Sequence, residues 1–119
     1  MFLIEDVFLV IILMNRYNET EVSAVFAKRE TVRKYIRFYG CVQAVGFRWH
    51  AMQAAQHYGV TGWVKNEYDG SVSMEIQGTE DQIDDVVSAI DRGSYIRIDY
   101  MDVKKITADP DERGFRVRY

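Results

Sequence analysis

The sequence has few of the residues that specialised protein classes require. Its single cysteine, Cys41, cannot form a disulfide within the chain, which excludes a small secreted domain held together by disulfides. One proline and eight glycines in 119 residues exclude collagen-like and linker-rich chains. The net charge of −3 provides no general attraction to nucleic acid or anionic lipid. We therefore expect a reducing, cytoplasmic location and no nucleic-acid partner.

Long hydrophobic segments are also missing. The longest uninterrupted apolar run, residues 7–14, is much shorter than the roughly 20 residues that a transmembrane helix needs. Before it stand Glu5 and Asp6 but no basic residue, unlike the start of a secretory signal peptide. We therefore expect no membrane partner. The hydrophobic share of 48% and the charged share of 28% are those of an ordinary globular domain.

Periodic patterns begin near residue 31, so we divide the chain into an N-terminal extension, 1–30, and a domain, 31–119. For residues 2–14 the alternatives are an added helix, an added strand or a segment for association, and Met14 is an alternative start. In the domain, apolar residues spaced as in a helix predict helices over 47–58 and between Thr79 and Gly93. Alternating apolar residues predict strands over 32–39, 60–66, 70–77, 95–106 and 115–119.

The order of these elements is βαββαβ with one further strand. This order predicts a ferredoxin-like α+β sandwich, in which both helices cover one face of an antiparallel sheet and the last strand adds an edge. In the usual strand order, 4-1-3-2, the first two strands each pair antiparallel with the third. They are therefore parallel to each other and end at the same edge. We expect the loop 40–48 and Asn66 to meet there.

The segment from Gly40 to Arg48 combines features of an anion site. A strand leads through a short loop into a helix N-terminus, where unpaired backbone N–H groups and the helix dipole favour negative charge. Arg48 adds a guanidinium suited to phosphate oxygens. The alternative is that Arg48 is a solvated residue in the first turn of a helix. The residues alone leave both interpretations open.

Two segments resemble the signatures of the acylphosphatase family. Residues 40–48 read GCVQAVGFR and are similar to the family pattern G-x-V-Q-G-V-G-F-R. Residues 62–72 read GWVKNEYDGSV and are similar to G-x-V-x-N-x-x-D-G-x-V. The resemblance covers roughly residues 31–119. It implies the ferredoxin-like fold and the hydrolysis of small acyl phosphates without a metal or other cofactor.

The resemblance also implies roles for individual residues. Arg48 is expected to bind the phosphate and Asn66 to orient the attacking water. The expected phosphate-binding residues are Gln43, Ala44, Val45, Gly46, Phe47 and Arg48. This agrees with the chemistry of an acyl phosphate, whose carboxylate leaves easily, because positioning and charge stabilisation then suffice. An amide such as that of Asn66 can both donate to and accept from a water molecule.

One residue departs from the family pattern, since Ala44 stands where glycine is common. A glycine often indicates a positive φ, which costs a residue with a side chain on the order of 1–2 kcal/mol. Ala44 is therefore either strained or held with a relaxed φ in a different loop. This departure bears on catalytic efficiency more than on the fold.

Other functions remain as alternatives to catalysis. A regulatory or interaction domain of the same fold would not require Arg48 and Asn66. An RNA-binding sheet is a further alternative, because the predicted helix-free face carries basic and aromatic residues, namely Arg33, Tyr35, Arg37, Tyr39 and Trp63. Against it stand the acidic net charge and the absence of an RNP1-like string.

The remaining reactive side chains predict no further site. His50 and His57 are seven residues apart, whereas two histidines that bind a metal on a helix are usually four apart. We therefore expect surface histidines and no metal site. Cys41 lacks an evident activating base and is expected to pack or be tolerated in the loop. Asp69 and Gly70 are expected to form a hairpin turn. The domain is expected to be a monomer unless residues 1–30 mediate association.

Overall fold

A computed structural model describes residues 4–119 and, except at residues 4–6, 27 and 28, their side chains. The chain divides into two compact units, with the boundary between Glu30 and Thr31. The first unit contains α1 (Ile4–Arg16) and α2 (Glu19–Arg29). Of the alternatives for residues 2–14, the structure has a helix from Ile4 onward, while residues 2 and 3 lie outside the described part. No helix among the described residues has the length and apolar character needed to cross a bilayer.

The second unit contains two helices and a five-stranded sheet. Its elements are β1 (Val32–Cys41), α3 (Phe47–Tyr58), β2 (Thr61–Asn66), β3 (Val72–Gly78), α4 (Glu80–Asp91), β4 (Arg97–Ile106) and β5 (Phe115–Arg118). The strands lie in the order β4-β1-β3-β2-β5. The first four pair antiparallel, whereas β5 pairs parallel with β2. The predicted ferredoxin-like sandwich with an added edge strand is confirmed.

Local sequence signals determine where α3 ends and where α4 begins. Helix α3 ends at Tyr58 because Gly59 takes a left-handed conformation, with φ 72°. Helix α4 begins with a capping box. Thr79 Oγ1 accepts a hydrogen bond from the backbone N–H of Gln82, and Gln82 Oε1 accepts one from the backbone N–H of Thr79. These caps hold the C-terminal end of α3 and the N-terminal end of α4.

The core lies between the two helices and one face of the sheet. Alternate residues of β1 and β3 point into it, as their period-two pattern predicts. Its fully buried side chains include Ile36, Phe38, Val64, Val72, Met74, Ile76, Ile83, Val86 and Ile90. At roughly 1.5–3 kcal/mol for each buried aliphatic or aromatic side chain, this cluster is the main stabilising element of the fold.

The pairing of β1 with β4 contains an irregularity next to the loop after β1. Tyr39 pairs with Tyr100, but Gly40 pairs with Ile98, so Asp99 is the extra residue of a bulge. A side chain at Gly40 would place its Cβ 2.2 Å from the Arg97 carbonyl oxygen, so only glycine fits. The bulge at Asp99 thus lies beside the point at which β1 leads into the loop.

Candidate active site

The loop from Val42 to Gly46 borders one concave surface. Ala44 has φ 59° and Gly46 has φ 80°, so two left-handed residues flank Val45. Such alternation turns successive N–H groups towards a common point and forms an anion-binding nest. Within residues 31–119, the N–H groups of residues 43–46 donate to neither a backbone nor a side-chain acceptor. They remain available for a ligand.

Helix α3 adds to the same positive surface. Its N-cap, Gly46, carries no capping side chain, and its first turn contains no acidic residue. The first N–H groups of a helix have no partner within the helix, and the dipole leaves a partial positive charge at this end. A bound anion would satisfy these donors, which a side chain satisfies in most helices.

Arg48 lies in that first turn and is half-buried. Its Cζ atom lies 5.3 Å from the centre of the Tyr119 ring, a cation–π contact. It forms no ion pair with any residue whose side chain the structure describes. The guanidinium is thus held on an aromatic face while its N–H groups remain available for phosphate oxygens.

Asn66 is the last residue of β2, and it shares the helix-covered face of the strand with Val64. β1 and β2 both pair antiparallel with β3, so they end at the same edge, as the topology predicts. Asn66 Oδ1 is buried and accepts no hydrogen bond from the described part of the chain. An unpaired buried acceptor is costly, at about 1–3 kcal/mol, and a water molecule would satisfy it.

A pocket of about 180 Å³ unites these parts. It is lined by Val42, Ala44, Gly46, Phe47, Arg48, Trp49 and Asn66. Arg48 carries the only charge in this lining, so the pocket is positive and favours an anion. Both catalytic residues expected from the resemblance are therefore brought to one cavity, together with three of the expected loop positions besides Arg48.

The two other expected phosphate-binding residues lie differently. The Gln43 side chain donates to the carbonyl oxygens of Glu67 and Ser71, at 2.7 Å and 2.9 Å, and so joins the loop to the β2–β3 hairpin. The Val45 side chain packs against the core. Neither Gln43 nor Val45 lines the pocket, so only their backbone N–H groups could contact a phosphate. Their role in phosphate binding stays a prediction.

The hairpin beside Asn66 is held by Asp69. Its carboxylate accepts hydrogen bonds from the Ser71 hydroxyl and amide, and Arg37 donates to it at 3.0 Å. These contacts, led by the Ser71 hydroxyl, lower the pKa of Asp69 from its ordinary 3.8 to about 2. The carboxylate therefore shapes the turn after Asn66, as expected, and lies outside the pocket lining.

The other reactive side chains form no second centre. His57 is exposed, and no group of three histidine, cysteine, aspartate or glutamate residues in the described part of the chain could hold a metal ion. Cys41 is exposed at the end of β1. His50 packs edge-on against Trp49, with ring centres 5.0 Å apart.

The helix-free face of the sheet carries a larger hollow of about 380 Å³ between Tyr35, Arg37, Tyr39 and Asp102. Arg37 is already engaged with Asp69 and Ser71. Asp102 adds a negative charge and Lys104 a positive one, so the lining carries charges of both signs. All of its lining residues belong to β1 and β4, so no helix N-terminus contributes to it as α3 does to the smaller pocket.

Two other residues of this face, Arg33 and Trp63, are buried and already have partners. Arg33 is buried and makes a bidentate ion pair with Glu112, at 2.7 Å and 3.0 Å, and a further pair with Glu75. Trp63 is buried, with the Arg118 guanidinium carbon 4.7 Å from its ring centre. An RNA-binding sheet needs exposed aromatic rings and free cations, so this arrangement does not favour it.

Two aromatic residues of the site, Tyr119 and Trp49, were not indicated by the sequence patterns. Tyr119 reaches Arg48 because β5 pairs with β2, and alternation alone identifies a strand without naming its neighbour. Trp49 lines the pocket although its apolar character fits no helical stripe. The only sequence signals were that Trp49 directly follows the motif 40–48 and that Tyr119 lies at the end of the last predicted strand.

Comparison with known proteins identifies a family for this combination of fold and site. The acylphosphatase family model matches residues 34–117. An acylphosphatase of Oceanobacillus iheyensis is 39% identical over 82 residues, which cover 67% of this chain and 90% of that protein. An acylphosphatase of Geobacillus thermodenitrificans is 36% identical over 88 residues, covering 73% of this chain and 94% of that protein.

A solved structure agrees with the sequence comparison. The crystal structure of acylphosphatase from Bacillus subtilis superposes with a TM-score of 0.68 at 28% identity, covering 74% of this chain and 99% of that one. The matched region contains the loop 42–46, Arg48 and Asn66. The chain belongs to the acylphosphatase family.

Proposed function

We propose that the pocket binds the phosphoryl group of an acyl phosphate on the N–H groups of residues 43–48 and the Arg48 guanidinium. As an acylphosphatase, the protein hydrolyses acyl phosphates to a carboxylate and inorganic phosphate. The observation that carries the proposed site is the convergence of unpaired N–H groups, Arg48 and Asn66 on one cavity. Preorganised donors of this kind stabilise the charge of a phosphoryl transition state.

We assign to Asn66 the orientation of the attacking water. The supporting observation is its buried Oδ1, which lacks a partner among the described residues and can accept a hydrogen bond from that water. Water attacks phosphorus, the bond from phosphorus to the acyl oxygen breaks, and its electron pair leaves on the carboxylate. Since no carboxylate or imidazole lines the pocket, a phosphate oxygen of the substrate accepts the proton.

We further propose that residues 31–119 are the catalytic domain, and that 1–30 are an extension. The boundary between the two compact units at residue 30 and the family match over 34–117 support this assignment. The single, exposed cysteine supports a cytoplasmic location.

Two variants separate the assigned roles. We expect Arg48→Gln to lower kcat by about 10²–10³-fold and to weaken inhibition by inorganic phosphate, because a charged donor is lost from the phosphoryl site. We expect Asn66→Ala to lower kcat by more than about tenfold and to leave the Ki for phosphate nearly unchanged. The variant loses the group that orients the water but keeps the groups that bind phosphate. The measurements are kcat on an acyl phosphate and the Ki for phosphate.

Arg92→Gln is the matched control, because Arg92 is exposed and lies outside the pocket lining. Circular dichroism should show native folds for all three variants. Unchanged phosphate inhibition in folded Arg48→Gln would contradict the phosphate site. Equal loss of phosphate binding in both site variants would make Asn66 a phosphate ligand.

A further inference from the structure

Trp49 is the one residue of the pocket lining whose contribution the proposed chemistry leaves unexplained. It follows Arg48 in the first turn of α3 and is 62% exposed. Val42 and Phe47, at 1% and 2% exposure, are buried and form the apolar floor. Trp49 is therefore the only large apolar side chain that the pocket presents to solvent.

We propose that the Trp49 indole is the subsite for the acyl group, and that it selects acyl phosphates with an aromatic or extended apolar acyl group over short ones. This inference rests on the proposed function, because it assigns the remaining part of the same substrate. The phosphoryl group occupies the loop and the helix N-terminus. The acyl group must then lie against whatever surface borders that position.

The composition of the pocket lining supports Trp49 as that surface. In phosphoryl transfer the attacking and leaving oxygens lie roughly in line on opposite sides of phosphorus. With water held at Asn66, the acyl group projects away from Asn66. The other lining residues offer backbone, a guanidinium or a buried floor, so the indole is the apolar surface that remains.

The indole is also held in place before a ligand arrives. Its ring meets the His50 ring at 81°, an edge-to-face geometry that is favourable for aromatic pairs. His50 in turn lies against Gly93, where a Cβ would be only 3.2 Å from His50 Cδ2, while a Cβ at Gly46 would be at an ordinary contact distance of 3.7 Å. A fixed aromatic surface binds an apolar group with little loss of conformational entropy.

The substrate preference of Trp49→Ala tests the subsite. We expect the ratio of kcat/KM for benzoyl phosphate to that for acetyl phosphate to fall about tenfold, because benzoyl loses an aromatic contact that acetyl is too small to make. The loss should appear in KM for benzoyl phosphate, and the Ki for inorganic phosphate should stay unchanged. Trp49→Phe should restore most of the ratio.

Tyr100→Ala is the matched control. Tyr100 is 57% exposed and stacks on one ring, that of Tyr39, but it lies outside the pocket lining. It should leave the ratio unchanged. An unchanged ratio in Trp49→Ala, or equal losses on both substrates, would overturn the subsite while leaving the proposed function intact. Wild-type protein that hydrolysed neither substrate would overturn the proposed function and the subsite with it.

Discussion

Ala44 is the residue at which the loop departs most from ordinary backbone geometry. Its φ of 59° is the only positive value among the described residues other than glycine. Such a conformation costs an alanine about 1–2 kcal/mol. A left-handed residue at this position suits a loop whose N–H groups turn towards one point, so the strain lies in the proposed phosphate site. Of the two alternatives for Ala44, the structure has the strained one.

Replacing Ala44 by glycine should remove this strain. Glycine also makes the unfolded chain more flexible, which lowers the free energy of unfolding by about 0.4–1 kcal/mol and offsets part of the stability gained from the removed strain. We therefore expect Ala44→Gly to be as stable as the wild type or up to about 1.6 kcal/mol more stable, with kcat preserved or raised. Urea unfolding and steady-state kinetics measure the two quantities.

Ala108→Gly is the control for this substitution. Ala108 is also exposed and outside helices and strands, but its φ is not positive. Glycine there should lower the free energy of unfolding by about 0.4–1 kcal/mol. If Ala44→Gly destabilised the protein as much as Ala108→Gly, Ala44 would not be strained. A rate loss above tenfold would mean that the alanine methyl packs productively.

At the scale of elements, the β2–β3 hairpin connects the two halves of the site. Asn66 ends its first strand, and the carbonyl oxygens of Glu67 and Ser71 accept from the Gln43 side chain of the opposite loop. Asp69 holds the turn through Ser71 and Arg37. The position of Asn66 relative to the loop 42–46 therefore depends on the hydrogen bonds of Gln43, which join the two motifs, and on the turn that Asp69 holds.

The lowered pKa of Asp69 makes this hairpin sensitive to acid. A carboxylate whose folded pKa of about 2 lies below its ordinary 3.8 stabilises the fold above about pH 4. That stabilisation is lost as the pH falls from about 4 to about 2, where the folded protein takes up the proton. We expect Asp69→Asn to be less stable than the wild type at neutral pH, with the difference shrinking over this range.

Urea midpoints measured from neutral pH to about pH 2 test this expectation. Asp85→Asn is the control, because Asp85 is exposed on α4 and makes no hydrogen bond or ion pair to a described side chain. The Asp85→Asn substitution should leave the dependence of the urea midpoint on pH nearly unchanged. A profile for Asp69→Asn that ran parallel to the wild-type profile would show that the hydrogen bonds of Asp69 do not contribute to stability.

The elements also show which features the sequence could predict. Gly59 and the Thr79 capping box determine helix ends through contacts within four residues, so local patterns suffice. The meeting of Arg48 and Asn66 followed from strand order, a rule of topology. By contrast, the Arg33–Glu112 ion pair joins residues 79 apart, and no local pattern indicates such a partner. The same applies to Tyr119 on Arg48, which depends on where β5 pairs.

At the scale of the whole molecule, the buried core belongs to the second unit. Every residue of the core cluster lies between Val32 and Ile96. In the first unit, by contrast, α1 carries large apolar side chains that are half or more exposed, including Val7, Phe8, Ile11 and Ile12. The stability of the domain should therefore come from burial after residue 30.

Removal of residues 1–29 tests this assignment. We expect the shortened protein to unfold cooperatively and to keep the kcat/KM of the full chain, because the core, the pocket lining and the five strands all lie after residue 31. Ile36→Ala in the full chain is the reference for a loss of core packing. Ile36 is 2% exposed, and its truncation should lower the free energy of unfolding by about 2–5 kcal/mol. A shortened protein without a cooperative thermal transition, or with a loss of stability equal to that of Ile36→Ala, would place residues 1–29 in the core and move the domain boundary.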